Sequence, residues 1–293
     1  MPDINVFHRP IPSLADCIET LSGLLKKQLL EIFPENLNGE AEQLAGRLFD
    51  TVKAAPDDVT AAKEAQQLLD TAEVRRYLRD GLGGRSQLIF DQVKDYVVGP
   101  NILDYGCGDG EVGRRLSELG HNVELWDVLD YRSEESRALA WHTIAENDAY
   151  RPSEIVSTVL LLTVLHHCTN PVATIHRVAS LNPQRIITIE SVFDIAMAEI
   201  APAERVNGVS NAKHWLDLKP DHQFHYACFW DWFYNKVVNS GVIVPYNYLA
   251  PCQWSTFFDS IGYKEVRTEY LGIDQPLVPE FHVLQVYDRR QNH

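Results

Sequence analysis

Asn101-Ile-Leu-Asp-Tyr-Gly-Cys-Gly-Asp-Gly-Glu111 decides how this chain folds. Tyr96-Val-Val-Gly-Pro100 closes the segment before it, and Ile102 and Leu103 then begin a short apolar strand with Asp104 at its carboxyl end. Gly106, Gly108 and Gly110 follow at alternate positions, and Val112 to Leu119 has the spacing of an amphipathic helix. Strand, glycine turn and helix make half of a βαβ nucleotide site. The glycines accept positive φ and let a ligand approach the backbone, and the helix start offers unpaired N–H groups.

The glycines can be read in two frames. Gly108-Asp-Gly-Glu-Val-Gly113 matches the dinucleotide fingerprint of an NAD-dependent oxidoreductase. That frame needs the strand to run on through Tyr105-Gly-Cys107, where Gly106 weakens it. The other frame, Asp104-x-Gly106-x-Gly108-x-Gly110, ends the strand where its apolar run ends. Asp104 and Asp109 then repel a pyrophosphate and attract a cation. S-adenosylmethionine has both an ammonium and a sulfonium, so the second frame is preferred.

Three stretches carry a family resemblance. Leu103-Asp-Tyr-Gly-Cys-Gly-Asp-Gly110 resembles the first motif of class I S-adenosylmethionine-dependent methyltransferases. Val123-Glu-Leu-Trp-Asp127 resembles their second strand, whose terminal acid holds the ribose hydroxyls. Thr158-Val-Leu-Leu-Leu-Thr-Val-Leu-His-His-Cys-Thr-Asn-Pro171 resembles their fourth strand and its turn. The likeness runs from Asn101 to about Ile189 and more loosely through the C-terminal strands. It implies an α/β fold, with a doubly wound, mostly parallel seven-stranded sheet and an antiparallel C-terminal strand. It also implies S-adenosylmethionine as cofactor, held by Asp104, Gly106, Cys107, Gly108, Gly110, Asp127, Val128 and Leu162. Asp130 is the fallback for Asp127. The adenine-contacting acid is carried to Asp148, although Ala149 replaces the glycine usual after it. Arg85, just after Gly81-Leu-Gly-Gly84, reads by default as a surface arginine, with a contact to the cofactor's methionine carboxylate as the functional alternative. None of these motifs specifies a substrate.

Composition narrows the partners. A net charge of −15 with no basic run argues against nucleic acid and anionic membrane. The five cysteines are scattered and lack C-x-x-C spacing, which fits a reducing cytoplasm without disulfides or structural zinc. The start of the chain has no signal-peptide pattern, and no apolar span is long enough for a membrane.

Around the nucleotide unit the order of elements can be read. Helices are expected over Pro12–Phe33 (Ser13 as N-cap), Glu40–Ala54, Pro56–Leu69, Thr71–Arg79 and Ser86–Val98, so residues 1–98 read as an N-terminal helical cap. Residues 99–293 read as the methyltransferase domain. Strands are expected over Asn122–Asp127, Ala138–Thr143, Val156–Leu165 and Arg185–Glu190, with a helix opened by Asn170-Pro171. Residues 191–250 read as a lid-like insertion rich in rings, with a helix over Ile195–Pro202. Phe229, Trp232 and Phe233 are assigned to core packing. A helix at Gln253–Ile261 and strands at Lys264–Tyr270 and Phe281–Tyr287 complete the chain. The N-terminal helices serve as a roof over the site, a homodimer surface, or both.

Asp104, Asp127, His166 and Glu190 are all expected on the carboxyl rim of the sheet, where ligands gather. Methyl transfer to oxygen needs a positioned base. His166 is the leading candidate, His222 and His225 in the insertion are the others, and Glu190 orients a histidine, binds substrate, or is satisfied by backbone N–H groups. His214, His222 and His225 match no zinc spacing, so no metal is assigned. The leading reading is a cytoplasmic enzyme that methylates a small organic acceptor, most readily at oxygen. The alternatives are a non-catalytic protein that uses the cofactor fold to contact a protein partner, or the oxidoreductase of the shifted frame.

Overall fold

The computed structural model describes residues 9–145, 151–152, 154–195, 200, 209 and 211–291. Asp148 and most of the helix expected at Ile195–Pro202 lie outside the described residues. Five parallel strands, β1 (Asn101–Tyr105), β2 (Asn122–Asp127), β3 (Ala140–Thr143), β4 (Thr158–Leu162) and β5 (Arg185–Ser191), are joined by the C-terminal pair β6 (Tyr263–Gly272) and β7 (His282–Arg289). Their order is β3-β2-β1-β4-β5-β7-β6, with β7 antiparallel to both β5 and β6. β4 is buried at every residue, as a central strand covered on both faces must be. The order reverses between β1 and β4, which opens a crevice above their carboxyl ends.

Two strand ends differ from the sequence reading. β1 runs one residue past Asp104, to Tyr105. β4 stops at Leu162 although the apolar run continues to Leu165, because Thr163 takes a left-handed φ of 59° and its N–H donates to the Ile189 carbonyl. The chain then makes a 3₁₀ turn over Leu165–His167.

Four helices precede α5 (Arg85–Val93): α1 (Leu14–Ile32), α2 (Ala41–Ala54), α3 (Asp58–Thr71) and α4 (Val74–Gly81). Ser13 caps α1 in a full capping box with Asp16, and Asp57 caps α3 by accepting the Thr60 N–H at 2.7 Å. The loop expected at Gly81–Gly84 is instead a helical turn leading directly into α5. α5 ends at Val93, short of the expected Val98, and a 3₁₀ turn over Lys94–Tyr96 follows.

Three apolar cores hold these layers. α5 and α6 (Glu111–Glu118) cover one sheet face, with Ile89, Val93 and Leu116 set against Ile102, Leu125 and Leu160. α7 (Pro171–Ser180) and α9 (Pro251–Ser260) cover the other, with Ile175, Trp254 and Phe258 against Leu103, Val159 and Tyr287. The third core belongs to α1–α4 and the aromatic helix α8 (Pro220–Trp232), and it reaches the sheet through Phe281 and Val283. α8 has no polar stripe: from Gln223 to Trp232 only His225 is not buried, as expected of a helix packed on all sides. Phe229, Trp232 and Phe233 are fully buried, as core packing requires, and Phe229 stacks on Phe233 with ring centroids 6.2 Å apart and an interplanar angle of 12°. Among the described residues no helix is long and apolar enough to cross a membrane. Phe229→Ala should cost about 3–5 kcal/mol of unfolding free energy in a denaturant titration.

Candidate active site

The glycine turn is pinned from below. The N–H groups of Gly106 and Cys107 both donate to the Trp126 carbonyl, at 2.7 and 3.1 Å, and Gly110 N–H donates back to the Cys107 carbonyl at 2.9 Å. Gly106, Gly108 and Gly110 all have positive φ. A Cβ on Gly106 would lie 2.5 Å from the Val164 side chain, whereas one on Gly108 would meet nothing within 4 Å. The turn is therefore closed against β4 at one end and open at its middle. The strand does not continue through Cys107, as the dinucleotide frame requires. Cys107 is buried, and burial, with Asp104 and Asp127 nearby, pushes its thiol far up, so it is no nucleophile.

Acids surround the turn. Asp127 ends β2, and its carboxylate accepts the Gly108 N–H at 2.8 Å and the Val128 N–H at 2.6 Å. Burial raises its pKa while those backbone donors oppose the rise. Each oxygen keeps a second lone pair for a further donor. Asp104 lies under the turn near Gly113, with one carboxylate oxygen buried and without a hydrogen-bond partner. Burial first, then Asp109 and Asp127, push its pKa up to about 7. Asp109 accepts from the Ser86 hydroxyl at 2.9 Å, tying α5 to the turn. Asp130, the fallback, forms an ion pair with Arg132 that lowers its pKa to about 2. Val128 is exposed next to Asp127, and Leu162 is buried at the end of β4.

Arg85 opens α5, and it is no surface arginine: its Nε is buried and has no partner. Burial lowers its pKa, and Glu280, Asp274 and Asp109 act against that. Gln275 lies on the connection between β6 and β7 that also carries Asp274 and Glu280, and both polar atoms of its buried amide lack partners. Sequence reading missed Gln275 and Glu280, since no local pattern links them to a helix almost two hundred positions earlier.

The tips of β4 and β5 converge on one carboxylate. One oxygen of Glu190 accepts the N–H groups of Val164 and Leu165, at 3.1 and 2.8 Å, and the other faces His166 Nδ1 at 2.5 Å. Glu190 thus both binds backbone N–H groups and orients a histidine. His166 sits not on the strand but in the 3₁₀ turn after it, stacked on Tyr248 with an interplanar angle of 14°. Burial disfavours its charge, but Glu190 outweighs that and pushes the ring up to about 9. His167 is oriented by the Ile243 carbonyl at 3.0 Å; burial, then the charge on His166, push it down to about 3. Asp231 of α8 faces His167 at 3.7 Å and is fully buried. Asn235 donates to its Oδ1 at 2.7 Å, and the Tyr248 hydroxyl lies beside the same carboxylate.

His222 and His225 point elsewhere. They lie 6.5 Å apart on α8, and the charged groups facing His225 are His222, Asp16, Asp221 and Arg9, none of them at a strand tip. His214 pairs with Gln28 of α1 at 2.6 Å. Asp231 was not identified from sequence, because it reads as one polar residue within an aromatic run.

Comparison with known proteins agrees with this architecture. A family model described as a methyltransferase domain matches residues 41–234. No curated protein matches the sequence. Among solved structures, magnesium protoporphyrin IX methyltransferase from Synechocystis with bound SAH is 15% identical, with 87% of this chain and 97% of that one covered and a TM-score of 0.42. A SAM-dependent methyltransferase from Aquifex aeolicus is 14% identical, over 73% and 97% of the two chains, with a TM-score of 0.45. Human N-acetylserotonin methyltransferase in complex with SAM is 13% identical, over 88% and 69%, with a TM-score of 0.44. None of their acceptors follows for this chain from likeness of that degree. With the family model covering most of the chain and the sheet order found above, the chain belongs to the methyltransferase-domain family, as a class I enzyme that uses S-adenosylmethionine.

Proposed function

We propose that this enzyme transfers a methyl group to an oxygen atom of a small organic acceptor, received at the tips of β4 and β5. The observation that supports this most is the buried group of His166, Glu190 and Asp231, which unites acid–base side chains at the rim. A hydroxyl acceptor must lose a proton during transfer, whereas a neutral amine attacks with its own lone pair. The rings of Tyr248 and Phe224, 6.2 Å apart, offer an apolar wall beside His166. The third core, which α8 shares with α1–α4, includes Phe224 and Tyr248 and so packs beside His166.

The cofactor fits the glycine turn on the geometry above. S-adenosylmethionine, when bound, supplies the methyl group on a cationic sulfur. Gly108 offers open backbone, Asp127 offers free lone pairs to the ribose hydroxyls, and the unpartnered oxygen of Asp104 puts negative potential under the turn. Val128 and Leu162 flank the adenosine, and Arg85 reaches the methionine carboxylate. His166, held by Glu190, faces the acceptor; its alignment and that of the chamber walls set the attack geometry. His222 and His225 remain outside this scheme.

An acceptor panel with labelled cofactor tests the proposal. Alkali-stable labelled ethers from phenols or alcohols are expected; label appearing only on amines would replace oxygen with nitrogen as the target. His166→Gln should lower kcat about 10²-fold with cofactor affinity unchanged. Asp127→Ala should weaken cofactor binding at least tenfold by calorimetry, and unchanged affinity would remove it from the site. Asp104 supplies a pH signature. Its folded pKa of about 7 leaves it largely protonated at pH 6, and a bound cation favours the ionised form. Binding should therefore release up to one proton near pH 6 and none near pH 9, read as a buffer-dependent binding enthalpy that Asp104→Asn abolishes.

A further inference from the structure

His166, His167 and Asp231 each place one ligand atom within 4.8 Å of the other two, and among the described residues no other group of three His, Cys or acidic side chains converges in this way. All three are buried or nearly so, in the turn after β4 and on α8. Each has one polar atom already fixed by a neighbour. Glu190 holds Nδ1 of His166, the Ile243 carbonyl faces Nδ1 of His167, and Asn235 donates to Oδ1 of Asp231. Metal ligands are oriented in this way: the outer atom of each imidazole or carboxylate is held, and the inner one is left with its lone pair. Asp231 Oδ2, the oxygen that Asn235 does not hold, is fully buried.

We propose that His166, His167 and Asp231 form a binding site for one divalent transition-metal ion. Two imidazoles and one carboxylate suit the zinc and iron class, whereas magnesium and calcium favour all-oxygen sets. Metal–nitrogen bonds of about 2.0–2.1 Å bring tetrahedral ligand atoms to roughly 3.4 Å of one another. The site therefore closes by about 1 Å or a little more when loaded. The acids Glu190 and Asp231 both adjoin this space, so a bound cation has negative neighbours. Three protein ligands leave a coordination position for the acceptor's oxygen. The inference rests on the acceptor position argued above, and it adds the substrate class: hydroxyl compounds able to bind a metal, such as vicinal diols or hydroxyl groups beside a carbonyl.

The test is made on the full-length protein, stripped with chelator and dialysed, so that metal binding and methyl transfer are read separately. Cobalt(II) titration should give one equivalent bound per chain, with the visible absorption of a low-coordinate nitrogen–oxygen site, and zinc should displace it while magnesium does not. Asp231→Asn and the less buried His167→Gln should each lose at least tenfold in cobalt affinity while keeping wild-type circular dichroism. Absent cobalt binding in wild-type protein overturns the site, as does equal cobalt affinity in His167→Gln folded like wild type. Cofactor binding in the stripped protein is measured alongside. If it persists without any cobalt site, the metal inference fails and the methyltransferase reading stands.

Discussion

A single buried carboxylate organises the rim of this sheet. Glu190 at the tip of β5 receives three N–H groups, of Val164, Leu165 and His166, from the turn after β4, and the ring of His166. Those N–H groups are otherwise orphaned, because Thr163 has left the strand ladder, and an unsatisfied buried donor costs about 1–3 kcal/mol. Fixing that turn also fixes Val164, whose methyl groups stand where a side chain on Gly106 would be. One carboxylate thus couples the glycine turn to the histidine, and so the cofactor side of the crevice to its acceptor side.

The cap shows how a helix buried all round is held in place. α8 is enclosed by α1 and the other N-terminal helices on one side and by the sheet's β5–β7 region on the other. Two of its buried polar side chains are matched. Gln223 bonds the backbone of Ile195 on both its N–H and carbonyl sides, and the Tyr226 hydroxyl donates to Gln28. Asp231 accepts from Asn235 through Oδ1.

Electrostatics at the two ends of the crevice differ in kind. Around the glycine turn Asp104 and Asp127 are buried while Asp109 is exposed, and burial together with these acidic neighbours pushes Asp104 up to about 7. Beyond β4, Glu190, Glu280 and Asp231 face His166, and Glu280 and Asp274 face Arg85. A cation suits the first environment, and proton movement suits the second.

Much of this was legible from sequence. The alternate glycines, the acid ending β2 and the Asn170-Pro171 helix start were all placed correctly, because local backbone preference and apolar periodicity decide them. The helix caps at Ser13 and Asp57 follow from the same local rules. The end of β4 did not, since the apolar run Thr163–Leu165 favours a strand and only the Ile189 carbonyl and Glu190 draw it into a turn. Nor did periodicity reveal that Asp231 meets the histidines or that Glu280 faces both Arg85 and His166. Sequence by itself determined the glycine turn and the acid ending β2, because local backbone preference and apolar periodicity fix them. Only tertiary structure brought Asp231 beside the histidines after β4, because burial of the aromatic helix places it there and no local pattern does.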